Sequence, residues 1–139
     1  MNYLELLSKL IAFDTTSRNS NRALIDFIAE YLAKYGISSH LSLSSCQTKA
    51  NLVATLPAGD GSLVGGLVLS GHTDVVPVDG QNWSYPPFGL TALDGKVYGR
   101  GTCDMKGFIA VVLSLIPELV GKKLAKPLHL AFSYDEEVG

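Results

Sequence analysis

The sequence predicts an α/β fold, with helices on both faces of a mostly parallel mixed sheet. Three observations predict it. Apolar residues recur every three or four positions in some segments and every second position in others. The runs Gly66–Ser70 and Leu128–Ser133 read as short strands buried on both faces, the kind that parallel sheets use. Polar clusters follow those runs, at the place where open α/β sheets gather functional groups.

Leu4, Leu6, Leu7, Leu10, Ile11 and Phe13 form an apolar stripe, so 2–12 reads as an amphipathic helix. Asp14, Thr15, Thr16 and Ser17 end it with cap and turn chemistry. A second stripe, Leu24, Phe27, Ile28, Tyr31, Leu32 and Tyr35, predicts a helix over 20–35 with Gly36 as its stop. The period then falls to two over 37–43 and 51–56, which read as strands. Ala58–Gly61 is a turn, and 77–89, rich in Pro, Gly and aromatics, is an ordered loop. Asp94-Gly95 between Thr91–Leu93 and Lys96–Tyr98 predicts a two-residue hairpin. A helix follows over 105–119, and the strand at 128–133 runs into Asp135-Glu136-Glu137.

Composition bounds the function. The chain has 139 residues, a length that suits one domain. Eleven Lys and Arg against 13 Asp and Glu leave a formal charge of −2, which excludes a broad electrostatic nucleic-acid binder. A hydrophobic share of 47% excludes a disordered chain. The longest nearly apolar stretch, Gly107–Ile116, falls far short of the roughly 20 residues a bilayer span needs, so no membrane partner is expected. Charged residues make up 17%, below the roughly 25% usual for soluble domains, which points to a surface covered by a partner or by further sequence. Cys46 and Cys103 make neither a disulfide framework nor a zinc ribbon, and the N-terminus has no basic-then-apolar leader. A cytoplasmic location is expected.

Three clusters carry the chemistry. His72 and Asp74 leave a strand end two residues apart, so an extended backbone points them the same way. One imidazole nitrogen can then bind a metal while the other is fixed by a carboxylate. A plainer reading is a loop His in an ordinary hydrogen bond. Asp104 precedes an apolar helix, where Asp is most often an N-cap. Glu136 and Glu137 leave a strand together. They are either surface charge or a pair that divides labour, one on a metal and the other moving a proton. The gaps of 32 residues from His72 to Asp104 and 33 from Asp104 to Glu137 each fit one excursion of the chain back to the same sheet end. One His, one Asp and one or two Glu suit zinc or a similar divalent ion, which would acidify a water for a carboxylate to deprotonate.

Taken in order, several blocks resemble the aminoacylase/carboxypeptidase family of dizinc amidohydrolases. They are Ser70-Gly71-His72-Thr73-Asp74-Val75-Val76-Pro77, Trp83, Pro87-Phe88, Asp94-Gly95-Lys96-Val97-Tyr98-Gly99-Arg100-Gly101, Cys103-Asp104-Met105-Lys106-Gly107 and Asp135-Glu136-Glu137. The resemblance implies a zinc-peptidase-like catalytic domain with two Zn2+ ions, for which Co2+ can substitute, and hydrolysis of an N-acyl amino acid. It implies that His72 ligates one zinc, with Asp74 orienting it. Asp104 bridges both ions, Glu137 ligates the other, and Glu136 is the general base. It also implies a cis bond between Asp104 and Met105. Residues 1–139 are then the N-terminal part of one catalytic domain. The remaining ligands, sheet strands and a lid that makes the complete protein a homodimer lie outside this sequence. A succinyl-diaminopimelate desuccinylase, a dipeptidase or a carboxypeptidase of the same family, and a non-catalytic binding or assembly partner, are the rival readings. Trp83, Pro87, Phe88, His40, His129 and Cys103 read as structural, and Arg100 and Lys106 as local turn and charge balance.

Overall fold

A computed structural model describes residues 1–138; Gly139, the last residue of the expected domain, lies outside the described residues. Helix α1 spans Tyr3–Ala12 and opens on a reciprocal cap. The Asn2 side chain accepts from Glu5 N–H, and the Glu5 carboxylate accepts from Asn2 N–H, both at 2.9 Å. Helix α2 spans Arg22–Ala33, and the chain turns at Gly36. Strands β1 (Ser39–Leu43) and β2 (Ala50–Leu56) form a hairpin, and β3 (Leu67–His72) follows. The short β4 (Thr91–Leu93) and β5 (Lys96–Tyr98) pair as predicted. Asp94 and Gly95 both take positive φ, 51° and 73°, as a two-residue hairpin turn requires. Helix α3 (Lys106–Leu119) and strand β6 (Leu128–Ser133) complete the order.

The main sheet is mixed, in the order β1-β2-β6-β3. Its balance differs from the expected mostly parallel one. β1–β2 and β2–β6 are antiparallel, and only β3–β6 is parallel. The helices also differ from the expectation of two covered faces. Ala50, Leu52, Ala54 and Leu56 of β2 and Leu128, Leu130 and Phe132 of β6 share one buried cluster with the stripes of α1, α2 and α3. All three helices therefore cover the same face. The other face carries Val53, Thr55, Val68, His129 and Ala131 without a covering helix among the described residues. Strand β3 is an edge, with Leu67 and Val68 exposed, so its apolar run is not buried on both sides here. No helix among the described residues is long and apolar enough to cross a membrane.

The parallel β3–β6 pair is what positions the chemistry. His72 closes β3 opposite Ser133, which closes β6. The residues just past β6 therefore emerge beside His72. Helix α3 packs against α1 and β3, and it brings the turn before it to the same sheet end. Gly107 permits that closeness: a Cβ there would lie 2.2 Å from the Thr102 carbonyl oxygen.

Candidate metal centre

His72 is buried, and both its ring nitrogens are engaged. Nδ1 lies 3.0 Å from the main-chain oxygen of Asp74. A carbonyl can only accept, so Nδ1 carries a proton, and whenever the ring is neutral Nε2 presents the lone pair. Nε2 faces Asp104 Oδ1 at 3.0 Å and Glu136 Oε2 at 3.8 Å. Two acceptors so close need a proton or a cation between them. Burial by itself lowers the His72 pKa. The bond to Asp104, the bond to the Asp74 carbonyl and the charges of Asp74 and Glu136 outweigh it and raise the pKa.

Asp74 is buried and serves more than His72. Its Oδ1 sits 3.4 Å from Nδ1, farther than the main-chain oxygen. The carboxylate instead collects three donors: Ser17 Oγ at 2.7 Å and Glu137 N at 3.1 Å on Oδ2, and Glu136 N at 3.2 Å on Oδ1. Burial pushes the Asp74 pKa up, but these bonds prevail and hold it below the usual carboxylate value.

Asp104 does not cap α3. The cap position belongs to Met105, no side chain bonds there, and the Asp104 carboxylate is turned to His72. The Asp104–Met105 bond is cis. Each of His72, Glu136 and Glu137 offers one ligand atom, and these atoms lie within 4.8 Å of one another. Burial, then the charge of Asp104, raises the Glu137 pKa, with Glu136 and Asp74 adding to it and His72 opposing. The five singled-out residues thus meet at one sheet end: His72, Asp104, Glu136 and Glu137 around a common space, and Asp74 behind them.

A divalent ion fits this donor set. The imidazole lone pair and the surrounding carboxylates are all acceptors, and their mutual repulsion is what a cation relieves. Neither cysteine belongs to the cluster of ligand atoms among the described residues. Cys46 lies in the β1–β2 loop, and Cys103, expected to be packed, is exposed.

Sequence reasoning missed the layer beneath. Thr15, Thr16, Ser17, Asn21 and Thr73 are buried, and they fasten the His72–Asp74 segment from below. Thr15 Oγ1 donates to the Thr73 carbonyl at 2.6 Å, and Val75 N donates to the Thr15 carbonyl at 3.1 Å. Asn21 donates to Ala50 O and Thr73 Oγ1 and accepts from Ala50 N, all at 2.9 Å. A run of small polar residues between two amphipathic helices was the only signal, and it looks like an ordinary turn.

An imidazole at the end of β3, two carboxylates just past β6 and a third from the turn before α3 meet at one sheet end, a donor set of the metallopeptidase type. The model of Peptidase family M20/M25/M40 matches residues 68–139, more than half of the sequence, and the chain belongs to this family. It is 42% identical to an acetylornithine deacetylase of Pasteurella multocida and 40% identical to one of Proteus mirabilis, each over 97% of this chain and 36% of that protein. The chain spans about a third of the length of these relatives. Its fold superposes on human carnosine dipeptidase 1 with a TM-score of 0.83 at 24% identity, over 99% of this chain and 32% of that one. It superposes on an M20 metallo-carboxypeptidase of Sulfolobus solfataricus with a TM-score of 0.80 at 21% identity, over the same shares.

Proposed function

We propose that this chain supplies the N-terminal part of the catalytic domain of a metal-dependent amidohydrolase that converts N-acetylornithine to ornithine and acetate. The observation that carries the reading is the pairing of His72 Nε2 with Asp104 Oδ1, beside Glu136 and Glu137. The substrate follows the relatives named acetylornithine deacetylase, which match nearly the whole chain.

His72, Asp104 and Glu137 are the residues to hold metal, as two zinc ions with cobalt as substitute. Bound metal supplies acidification of water and charge stabilisation at the carbonyl oxygen. The protein's own groups do the rest. Asp74 anchors the main chain of both glutamates. The Asp74 carbonyl fixes the His72 tautomer, so that Nε2 is the coordinating nitrogen. The Glu136 carboxylate lies 3.8 Å from Nε2 and is well exposed. It is free to take the proton of the attacking water and pass it to the amide nitrogen as the C–N bond breaks. One water is consumed: its oxygen ends on acetate and its proton on ornithine. The working protein is a cytoplasmic homodimer in this reading, and the further ligands and the lid come from sequence beyond this chain.

The test is an assay of this chain extended to the length of its relatives. A kcat/KM for N-acetylornithine well above those for N-succinyl-diaminopimelate and for dipeptides is expected. Preference for either rival substrate overturns the assignment. Glu136→Ala should lower kcat at least about 100-fold, the usual reach of a positioned general base, while bound metal by elemental analysis stays the same. A Glu136→Ala protein with undiminished turnover, or a wild type with none on any substrate, refutes the catalytic reading.

A further inference from the structure

The segment between α1 and α2 reaches the centre through one side chain. Ser17 is buried, and its hydroxyl donates to Asp74 Oδ2 at 2.7 Å. That oxygen also accepts Glu137 N, and the other accepts Glu136 N. Turning the Asp74 carboxylate away from Ser17 would therefore also withdraw an acceptor from Glu137. The Ser17 backbone is anchored on both sides. Its N–H donates to the Val75 carbonyl at 3.2 Å, and its carbonyl accepts from Lys49 Nζ, which also pairs with Asp135 next to the glutamates. Ser17 is thereby held to the strand exit that bears His72 and to the turn that bears the glutamates.

We propose that Ser17 is a positioning residue for the Glu136–Glu137 pair: its hydroxyl locks the Asp74 carboxylate in the orientation that holds both glutamate amides. A hydroxyl is suited to this. It is short enough to be fixed by its own backbone, and it donates to a charged acceptor, which makes the bond stronger than a neutral one. The functional consequence rests on Glu136 and Glu137 being the working carboxylates; the positioning itself does not.

The test is amide hydrogen exchange on this chain extended to the length of its relatives and freed of metal. In Ser17→Ala the Glu136 and Glu137 amides should exchange about tenfold faster, the worth of one hydrogen bond to a charged group. Leu130, in the middle of β6, should keep its protection. Ser17→Thr keeps the hydroxyl and should restore the slow exchange. In an Asp74→Ala background, Ser17→Ala should add nothing, and this comparison decides the matter without the Thr variant. Unchanged Glu136 and Glu137 amides in Ser17→Ala overturn the proposal. Equal acceleration of every amide, Leu130 included, also overturns it, because that marks a general packing role. A Co2+ titration of the same proteins tests the consequence separately. Ser17→Ala should weaken binding about 10-fold to 100-fold, as loss of a residue supporting metal ligands does. If wild type binds no Co2+, the functional reading fails, while the exchange data still decide the placement of Ser17.

Discussion

Lys106 shows how much one side chain can hold together out of sight of the chemistry. It is fully buried, and it forms none of the ion pairs found among the described residues. Its ammonium donates to the Leu10 carbonyl at 3.0 Å and the Phe13 carbonyl at 2.7 Å. Both lie at the C-terminal end of α1, where carbonyls lack helical partners and the helix dipole is negative. Burial draws the Lys106 pKa down to about 8, against the opposing charge of Asp14. The residue joins the end of α1 to the start of α3, two positions after Asp104. Lys106→Met fills a similar volume but leaves both carbonyls unpaired. It should cost about 1–3 kcal/mol, read as a lower urea midpoint with an unchanged slope. An unaltered midpoint would mean that water replaces the ammonium. The sequence placed Lys106 in a motif and assigned it to local charge balance. Its partners are main-chain atoms some ninety positions away, and such a pairing leaves no mark on residue types. His72, Asp104, Glu136 and Glu137 were legible for the opposite reason: an imidazole and carboxylates are the residue types a metal needs, and the structure brings these side chains together. The orientation of His72 was only half legible, because the main-chain carbonyl of Asp74 holds Nδ1 more closely than its carboxylate does.

Elements were legible where period and punctuation agree. The α1 and α2 stripes, the Asp94-Gly95 hairpin and the bounds of β6 need only local chemistry, and the structure puts them within a few residues of expectation. Helix α3 carries a constraint that helix propensity would read backwards. Ala is ordinarily a better helix former than Gly. At Gly107 the added Cβ would meet the Thr102 carbonyl oxygen at 2.2 Å, and a main-chain atom in a tight turn cannot step aside. Gly107→Ala should therefore destabilise the chain by about 1–3 kcal/mol, the usual cost of overpacking. It should also disturb the 99–104 turn that carries Asp104. Thermal unfolding gives the first quantity. A variant as stable as wild type, or more so, would show that α3 can slide away from that turn. The period of the sequence foretold a helix here, but it could not show that the helix begins against the backbone of its own preceding turn.

At the scale of the whole chain the sheet is half dressed. The cluster beneath it is complete: the stripes of α1, α2 and α3 meet the inward residues of β2 and β6 with almost no exposure. The opposite face leaves Val53 at 45% and Val68 at 56% exposed, and β3 offers an unpaired edge. Helices on both faces were expected because the run Gly66–Ser70 is apolar throughout. That inference concerned the environment the run is suited to, and among the described residues no helix or further strand covers that side. An apolar strand at an open edge is a template for pairing with other chains. Contiguous exposed apolar surface drives association for the same reason that burial drives folding. The isolated chain should therefore self-associate with rising concentration in sedimentation velocity. A double variant, Val53→Lys with Val68→Lys, should shift it toward monomer. Because neither valine belongs to the buried cluster, the thermal midpoint should move by only a few degrees, as for other surface substitutions. A wild type that stays monomeric up to about 100 μM would show that the open face is tolerated in water. The expectation of a covering layer on that face would then fall. Association that persists undiminished in the double variant would move the contact elsewhere, to the free edge of β3 or the exposed Val111 and Leu115 of α3.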